Sequence, residues 1–421
     1  MHFRTFLLVF LYLIGVGDTF GQIKYTNHDY TSHIKSVRFH LTNLPLYYPI
    51  VGLGGEPGSL SLMFDDLEGD VKTYRYTVIH CDVNWEPSNL SYFEYLDRFE
   101  EGDINNFELS YQTEREYTHY WLYLPNRDIS WTLSGNYILY VYDEDRDHPI
   151  FTRRFIVAEQ AVDIIPRMTI PADVYKNKTH QEIDFDVKHE GFEYRSAKNE
   201  ISATILQNGR WDNAVVNIPP FMERGDRTID FNYQNKIVFE AGREWRQIDL
   251  RSLRFPSADV SAIQRHDDGY YVTLLKDLKR YGNPYSGYND LNGGYIVENR
   301  DFNDDELTAE YCKVLFQLYS PTIYEDKEIY LFGAMTNFQL KPEFKMAYND
   351  QLKSYVAAPV IKQGFYSYEY VMVDKEGVPD FDSLEGNTFE TENDYTIIVY
   401  FHPFGARYDR VIGVKTFESN R

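Results

Sequence analysis

Short stretches in which apolar and polar residues alternate recur along almost the whole chain. Leu60, Leu62 and Phe64 alternate with small or polar residues, and after a turn-forming sequence at 68–70 the alternation resumes over residues 74–80. A period of two places successive side chains on opposite faces of a β-strand. No long segment shows the 3.6-residue period of a helix, although residues 90–99 predict one short helix. The sequence therefore predicts an all-β protein built from β-sandwiches.

Two proline-containing joints divide the predicted strands into modules. Proline lacks an amide donor, so Pro166 and Pro171 interrupt strand pairing after residue 160, and Pro321 does so after Ser320. We predict an N-terminal β-sandwich at residues 22–160, a middle β-sandwich at 161–320 and a C-terminal immunoglobulin-like module at 321–421.

The first 21 residues are typical of a secretory signal peptide. Arg4 precedes an uninterrupted apolar run at residues 6–16, and small or polar residues follow at 17–21. A membrane-spanning helix needs about 20 apolar residues, which is longer than this run. An uncleaved anchor is the alternative. No cysteine lies near the predicted cleavage site, so we expect an exported protein without a lipid anchor.

The charge and the two cysteines limit the classes of function. The chain has 42 lysine and arginine residues against 65 aspartate and glutamate residues, a net charge of −23. Proteins that coat nucleic acid or anionic lipid need a positive surface, so we expect neither partner. Cys81 and Cys312 form either one disulfide or two separate buried thiols. We favour buried thiols, because the two residues fall in different predicted modules.

Residue types used in catalysis are present, but without the required spacing. His80 and Cys81 are adjacent, so a strand points them to opposite faces. The acidic loop at 301–306 lacks the glycine and the final glutamate of an EF-hand calcium loop. Nucleophile-elbow, dinucleotide-binding and phosphate-binding motifs are also missing from the sequence. We therefore expect no catalytic residue, no metal, no cofactor and no small-molecule substrate, and we predict that the protein is not an enzyme.

A distinctive set of motifs carries a family resemblance. The longest is HCDVNWEPSNL at residues 80–90, and shorter motifs lie further along the chain, at 94–97, 117–120, 124–126, 134–137, 290–293, 309–311, 385–387 and Tyr395. Together they resemble the plug protein family of the Bacteroidota type IX secretion system, over nearly all of the chain after residue 21. The segment 330–338 is similar to early-set immunoglobulin-like modules of the glycogen-binding type.

The resemblance implies a periplasmic binding protein. Such a plug binds the giant outer-membrane barrel of the translocon, with which it is associated at the membrane, and closes its periplasmic opening when no cargo is engaged. The alternative is a periplasmic glycan-binding or glycan-processing protein, which the tyrosines and the early-set similarity suggest.

The loop-like segment 84–99 is our predicted contact surface for the barrel. Its aromatic residues are Trp85, Tyr92, Phe93 and Tyr95. Loops carry binding functions more often than strands do, and aromatic side chains are frequent anchors of protein interfaces. The competing interpretation is that Trp85 is a core residue at the end of a strand.

Overall fold

A computed structural model of the protein describes residues 23–419. The predicted signal peptide, residues 1–21, lies outside the described residues. Within the described part of the chain, none of the helices is long and apolar enough to cross a membrane.

The first module consists of ten strands in two sheets that pack face to face. One sheet has the order β1-β10-β9-β5-β6, with β3 paired to β10, and the other has the order β2-β4-β8-β7. The strands are β1 His28–Asp29, β2 Ile34–Leu41, β3 Ile50–Gly52, β4 Leu60–Asp66, β5 Tyr74–Cys81, β6 Glu101–Ile104, β7 Asn106–Leu109, β8 Thr118–Leu124, β9 Gly135–Asp143 and β10 Pro149–Ala158. Alternate residues of both sheets form one core, which includes Leu62, Phe64, Val78 and Tyr120.

A single helical turn interrupts this module within the predicted helical stretch 90–99. Helix α1 spans Tyr92–Tyr95. The Ser91 amide donates to the Glu94 carboxylate over 2.8 Å, which is one half of a capping box. The capping sequence is therefore sufficient for one turn, and the chain leaves the helix at Leu96 in an extended conformation.

The next seven strands begin a second module. Strands β11, β12, β16 and β15 pair in that order, β17 joins β12, and β14 pairs with β13 in a separate sheet. Their bounds are β11 Asp163–Thr169, β12 His180–Lys188, β13 Ile201–Gln207, β14 Val215–Ile218, β15 Met222–Arg224, β16 Thr228–Asp230 and β17 Val238–Glu240, with helix α2 at Ala197–Glu200.

Eleven strands then form a single sheet. Its order is β18-β27-β23-β24-β25-β22-β20-β19, with β21 and β28 paired to β27 and β26 paired to β22. The bounds are β18 Arg246–Asp249, β19 Val260–His266, β20 Gly269–Leu274, β21 Tyr295–Val297, β22 Tyr311–Tyr319, β23 Glu328–Phe332, β24 Lys345–Asn349, β25 Ser354–Ala357, β26 Val360–Lys362, β27 Gly364–Val373 and β28 Pro379–Asp380. Helix α3 is Asp382–Glu385, and 3-10 turns lie at Ala334–Thr336 and Pro342–Phe344.

The last two strands return to the second module. Strand β29, Asp394–Phe401, pairs with every residue of β13, and β30, Arg410–Glu418, pairs with β29. Tyr395, Ile397 and Val399 share a core with Ile183 and Phe185. We therefore call residues 163–240 together with 394–418 the middle module, and residues 246–385 the inserted module.

This strand pairing corrects the predicted boundary at residues 320 and 321. Strand β22 ends at Tyr319 and pairs with β25 and β26 beyond the boundary. Phe316 and Leu331, from either side of Pro321, are buried in the same core. The predicted joint at Ser320-Pro321 therefore lies within one module. The prediction of an all-β fold built from β-sandwich modules is confirmed, but the modules are not in tandem, because the inserted module interrupts the middle one.

Both cysteines are free thiols in separate cores. Cys81 lies in the core between the first and middle modules, and Cys312 in the core of the inserted module. Burial raises the pKa of each thiol, which keeps both in the unreactive protonated form. The prediction of two buried thiols is confirmed.

Candidate functional site

The predicted contact segment divides into an exposed half and a buried half. The side chains of Tyr92 and Phe93 are 38% and 69% exposed, whereas Trp85 and Tyr95 are only 4% and 7% exposed. Helix α1 explains part of this division: it turns Phe93 outward and directs the Tyr95 hydroxyl inward, where it donates to the Val78 carbonyl over 3.3 Å. Trp85 and Tyr95 are therefore wrong as surface contacts, and Tyr92 and Phe93 stay a prediction.

Trp85 fills the joint between the first and middle modules. The Asp82 carboxylate accepts the amides of Asn84 and Glu86 at 2.8 and 2.9 Å, and this turn holds Trp85 in a left-handed conformation with a φ of 67°. The indole ring lies 4.9 Å from the Trp211 ring of the middle module, and the Arg154 guanidinium lies 4.3 Å from its centroid. The competing interpretation of Trp85, a core residue at a strand end, is thus the one that the structure bears out.

Phe404 of the middle module extends the exposed aromatic surface. It lies in the turn between β29 and β30 and is 81% exposed. Arg407, in the same turn, pairs with Glu94 and donates to the Asn89 carbonyl over 3.1 Å, which fixes the turn beside helix α1. We call Tyr92, Phe93 and Phe404 the aromatic tip. Sequence reasoning missed Phe404, although an apolar residue between Pro403 and Gly405 in a turn is a usable signal.

A buried ion pair joins the first module to the inserted module. The Lys362 Nζ atom lies 2.6 Å from the Asp65 Oδ2 atom, and both side chains are fully buried. The His119 ring and the Tyr311 hydroxyl each contact the same carboxylate at 2.6 Å. Lys362 also lies 4.2 Å from the Tyr117 ring centroid. Burial alone would raise the pKa of Asp65, but Lys362 and His119 outweigh it and hold that pKa well below its ordinary range.

The acidic loop at 301–306 contributes to the same joint. Glu306 forms a two-point ion pair with Arg38 of strand β2, with one contact at 3.0 Å. The Asp304 carboxylate accepts the Glu306 and Leu307 amides at 3.0 Å, and Asp301 accepts the Leu253 amide at 2.8 Å. These carboxylates therefore have donors within the protein, and the loop acts as a structural clamp between modules.

A third joint connects the middle and inserted modules. The Arg210 guanidinium makes two hydrogen bonds to Asp212, at 3.1 and 2.6 Å, and lies 3.7 Å from Glu369. It is surrounded by aromatic rings whose centroids lie 4.9–5.8 Å away: Phe332, Phe338 and Phe381 of the inserted module, and Trp245 immediately before that module. This cation–π packing buries the charge of a middle-module residue inside the inserted module.

Glu369 makes the third joint sensitive to pH. Burial raises its pKa from an ordinary 4.5 to about 8, an effect that nearby Arg210 only partly offsets. Between these two pH values the folded state keeps a proton that the unfolded state loses, so stability falls as pH rises. We expect Glu369→Gln to abolish this contribution. In urea unfolding at pH 5, 6.5 and 8, the stability of the variant relative to the wild type should rise with pH; a constant difference would contradict the assignment.

One group of possible metal ligands already contains a cation. Ligand atoms of His33, Asp66 and Glu68 lie within 4.8 Å of one another. The Lys72 ammonium is 2.9 Å from Asp66 and also contacts Glu68, and the Tyr74 hydroxyl donates to Asp66 over 2.8 Å. The lysine therefore already neutralises two of the three possible ligands.

The three joints make relative movement of the modules costly. Separating the first module from the inserted one would expose or orphan the Asp65–Lys362 pair, and separating the middle module would remove Arg210 from its aromatic rings. Breaking a buried ion pair typically costs several kcal/mol. The joints thus oppose relative movement of the modules, and the aromatic tip lies at the boundary of the first and middle modules.

Comparisons with known proteins agree with this arrangement. Residues 34–159 match the family model described as type 9 secretion system plug protein 1st domain, a range that contains strands β2 to β10 and helix α1. A crystal structure of a hypothetical protein from Parabacteroides merdae ATCC 43184 is 33% identical, with a TM-score of 0.89; the match covers 94% of this chain and 100% of that one. No curated protein matches the chain.

Proposed function

The chain belongs to the type IX secretion system plug family, and on this basis we propose that it is a periplasmic plug. The protein binds the giant outer-membrane barrel of the translocon and closes its periplasmic opening while no cargo is engaged. It is exported by its N-terminal signal peptide and acts without turning over a substrate.

The observation that best supports this function is that buried contacts join all three modules. A wide barrel leaves an aqueous channel, and closing it requires a body that keeps its shape under thermal motion. Buried ion pairs and cation–π contacts at the joints supply that stiffness, because bending any joint would expose a charge. A body that closes a channel by filling it needs no catalytic group.

We propose that the aromatic tip contacts the rim of the barrel. Exposed rings bury a large apolar area while losing few rotatable bonds, which favours them as anchors of an interface. Tyr92 and Phe93 lie edge to face at 5.7 Å, and Arg407 holds the Phe404 turn beside them. The rings are therefore positioned before binding, which reduces the entropy lost on association.

Affinity purification from outer membranes tests the partner. The full mature chain, carrying an affinity tag, is incubated with detergent-solubilised outer membranes of the source cells. We expect recovery of a very large barrel protein. Saturable binding to polysaccharide instead, with no barrel recovered, would favour the alternative of a glycan-binding protein and contradict the plug.

Paired substitutions test the contact surface separately. Phe93→Ala together with Phe404→Ala is expected to reduce barrel recovery at least tenfold. Phe255→Ala, at a ring that is 80% exposed on the inserted module, is the matched control and should leave recovery unchanged. If the wild type, the double variant and the Phe255→Ala control recover the same amount of barrel, the aromatic tip is excluded as the contact surface, although the barrel is still the partner.

A further inference from the structure

A cleft of about 600 Å³ separates the first module from the inserted module. One wall is formed by residues 28–37, including the start of strand β2. The other wall is formed by residues 334–344 and 358–362. A volume of this size accommodates a ligand of drug-like dimensions, and such sites occur preferentially where domains meet.

The lining of the cleft is basic, in contrast to the acidic protein as a whole. Five lysine or arginine residues line it, against two acidic residues: Lys35, Arg115, Arg153, Lys341 and Lys362 against Asp29 and Glu343. The whole chain has 42 basic and 65 acidic residues. A concave surface with low-dielectric walls concentrates the potential of its charges, so this cleft attracts anions.

The side chains of two of the cations form no ion pair within residues 23–419, although the Arg115 main-chain amide donates to the Glu310 carboxylate over 3.2 Å. Arg153 and Lys341 both pair with Asp29, at 2.6 and 2.7 Å, and Lys362 pairs with Asp65. In that part of the chain no ion pair involves Lys35 or Arg115, both on the side of the first module. Glu343 is also without an ion pair, but it belongs to the opposite wall. The first-module wall therefore presents uncompensated positive charge.

A buried hydroxyl on the same wall also has no partner. The Thr31 Oγ1 atom is buried and, among the described residues, makes no hydrogen bond. Buried polar groups in folded proteins are nearly always satisfied, so an unsatisfied one in a cleft wall indicates where a ligand oxygen fits. The rest of the lining is largely apolar or aromatic, and includes Met335, Phe344, Tyr295 and Tyr366.

From this arrangement we propose that the cleft binds an organic anion, with its carboxylate or phosphate head at Lys35, Arg115 and Thr31. An apolar body of the ligand lies along Met335 and Phe344. A guanidinium and an ammonium together recognise either head group, whereas the apolar walls select against small inorganic ions. This inference is independent of the secretion role, because it rests only on the cleft.

Calorimetric titration with simple amphiphiles tests the proposal. The full mature chain is titrated with octanoate, with octyl phosphate and with inorganic phosphate at low ionic strength. We expect saturable binding of one molecule of at least one amphiphile, at least tenfold tighter than that of inorganic phosphate. The tighter of the two amphiphiles identifies the preferred head group.

Charge-neutral variants connect the binding to the cleft. Lys35→Gln combined with Arg115→Gln is expected to weaken amphiphile binding at least tenfold. Lys375→Gln combined with Arg127→Gln makes the same change in net charge at exposed positions outside the cleft and should leave binding unchanged. Thermal melts confirm that both double variants are folded. The proposal is overturned if neither amphiphile binds, if inorganic phosphate binds equally well, or if the cleft variant binds like the wild type.

Discussion

Replacing Lys362 with methionine is expected to lower the free energy of unfolding by about 3–5 kcal/mol, because it leaves the buried Asp65 carboxylate without its ammonium. The two charged atoms are 2.6 Å apart and neither side chain reaches solvent. The remaining partners of Asp65, His119 and Tyr311, supply hydrogen bonds but do not replace the lost ammonium. Urea unfolding at pH 7, followed by tryptophan fluorescence, measures the change.

Two further variants separate the ion pair from a general effect of lysine removal. Lys353→Met removes a lysine whose pair with Asp350 is exposed, and should cost less than about 1 kcal/mol. Combining Asp65→Asn with Lys362→Met removes both charges and should recover part of the loss. A loss below about 1 kcal/mol for Lys362→Met alone would show that the pair does not hold the two modules together.

Substitution of Trp85 by alanine is expected to destabilise the protein by about 3–5 kcal/mol, since it empties the joint beneath Trp211 and Arg154. Phe93→Ala, eight residues further along and 69% exposed, should change stability by less than about 0.5 kcal/mol. The same urea unfolding measurement serves for both variants.

Trp85→Ala and Phe93→Ala should also differ in binding to the barrel, and here Phe93→Ala should show the larger loss. At a temperature where both are folded, Trp85→Ala should still recover the barrel from outer membranes, whereas Phe93→Ala should recover less. Normal stability of Trp85→Ala would contradict its role as a core residue. Reduced recovery by Trp85→Ala with full recovery by Phe93→Ala would reverse the division of the segment into core and contact.

Local pattern predicted the strands well but not their partners. The alternation at Leu60, Leu62 and Phe64 correctly indicates a strand, because its period depends only on neighbouring residues. The pairing of β29 with β13 joins residues nearly 200 positions apart, and no local pattern records it. Ser320-Pro321 separates two strands of one module, yet it has the same composition as a domain joint, and the predicted boundary was therefore wrong.

The candidate site shows the same limit at the level of single side chains. Trp85 and Phe93 are both aromatic residues in one loop-like segment, and composition does not distinguish them. Trp85 is buried because Arg154 and Trp211 pack against it, and both lie 69 or more residues away and approach it only in the folded chain. Phe404 was missed because the contact that places it beside helix α1, Arg407 with Glu94, is equally remote in sequence.

The entry of an antibiotic too large for ordinary porins tests the central claim most directly. Its uptake is compared among wild-type cells, a deletion strain and deletion strains complemented with the wild type or with the Phe93→Ala, Phe404→Ala variant. We predict rapid uptake in the deletion strain, a barrier restored by the wild-type protein, and no restoration by the variant. Uptake in the deletion strain equal to that of wild-type cells would contradict the proposal that this protein closes the pore.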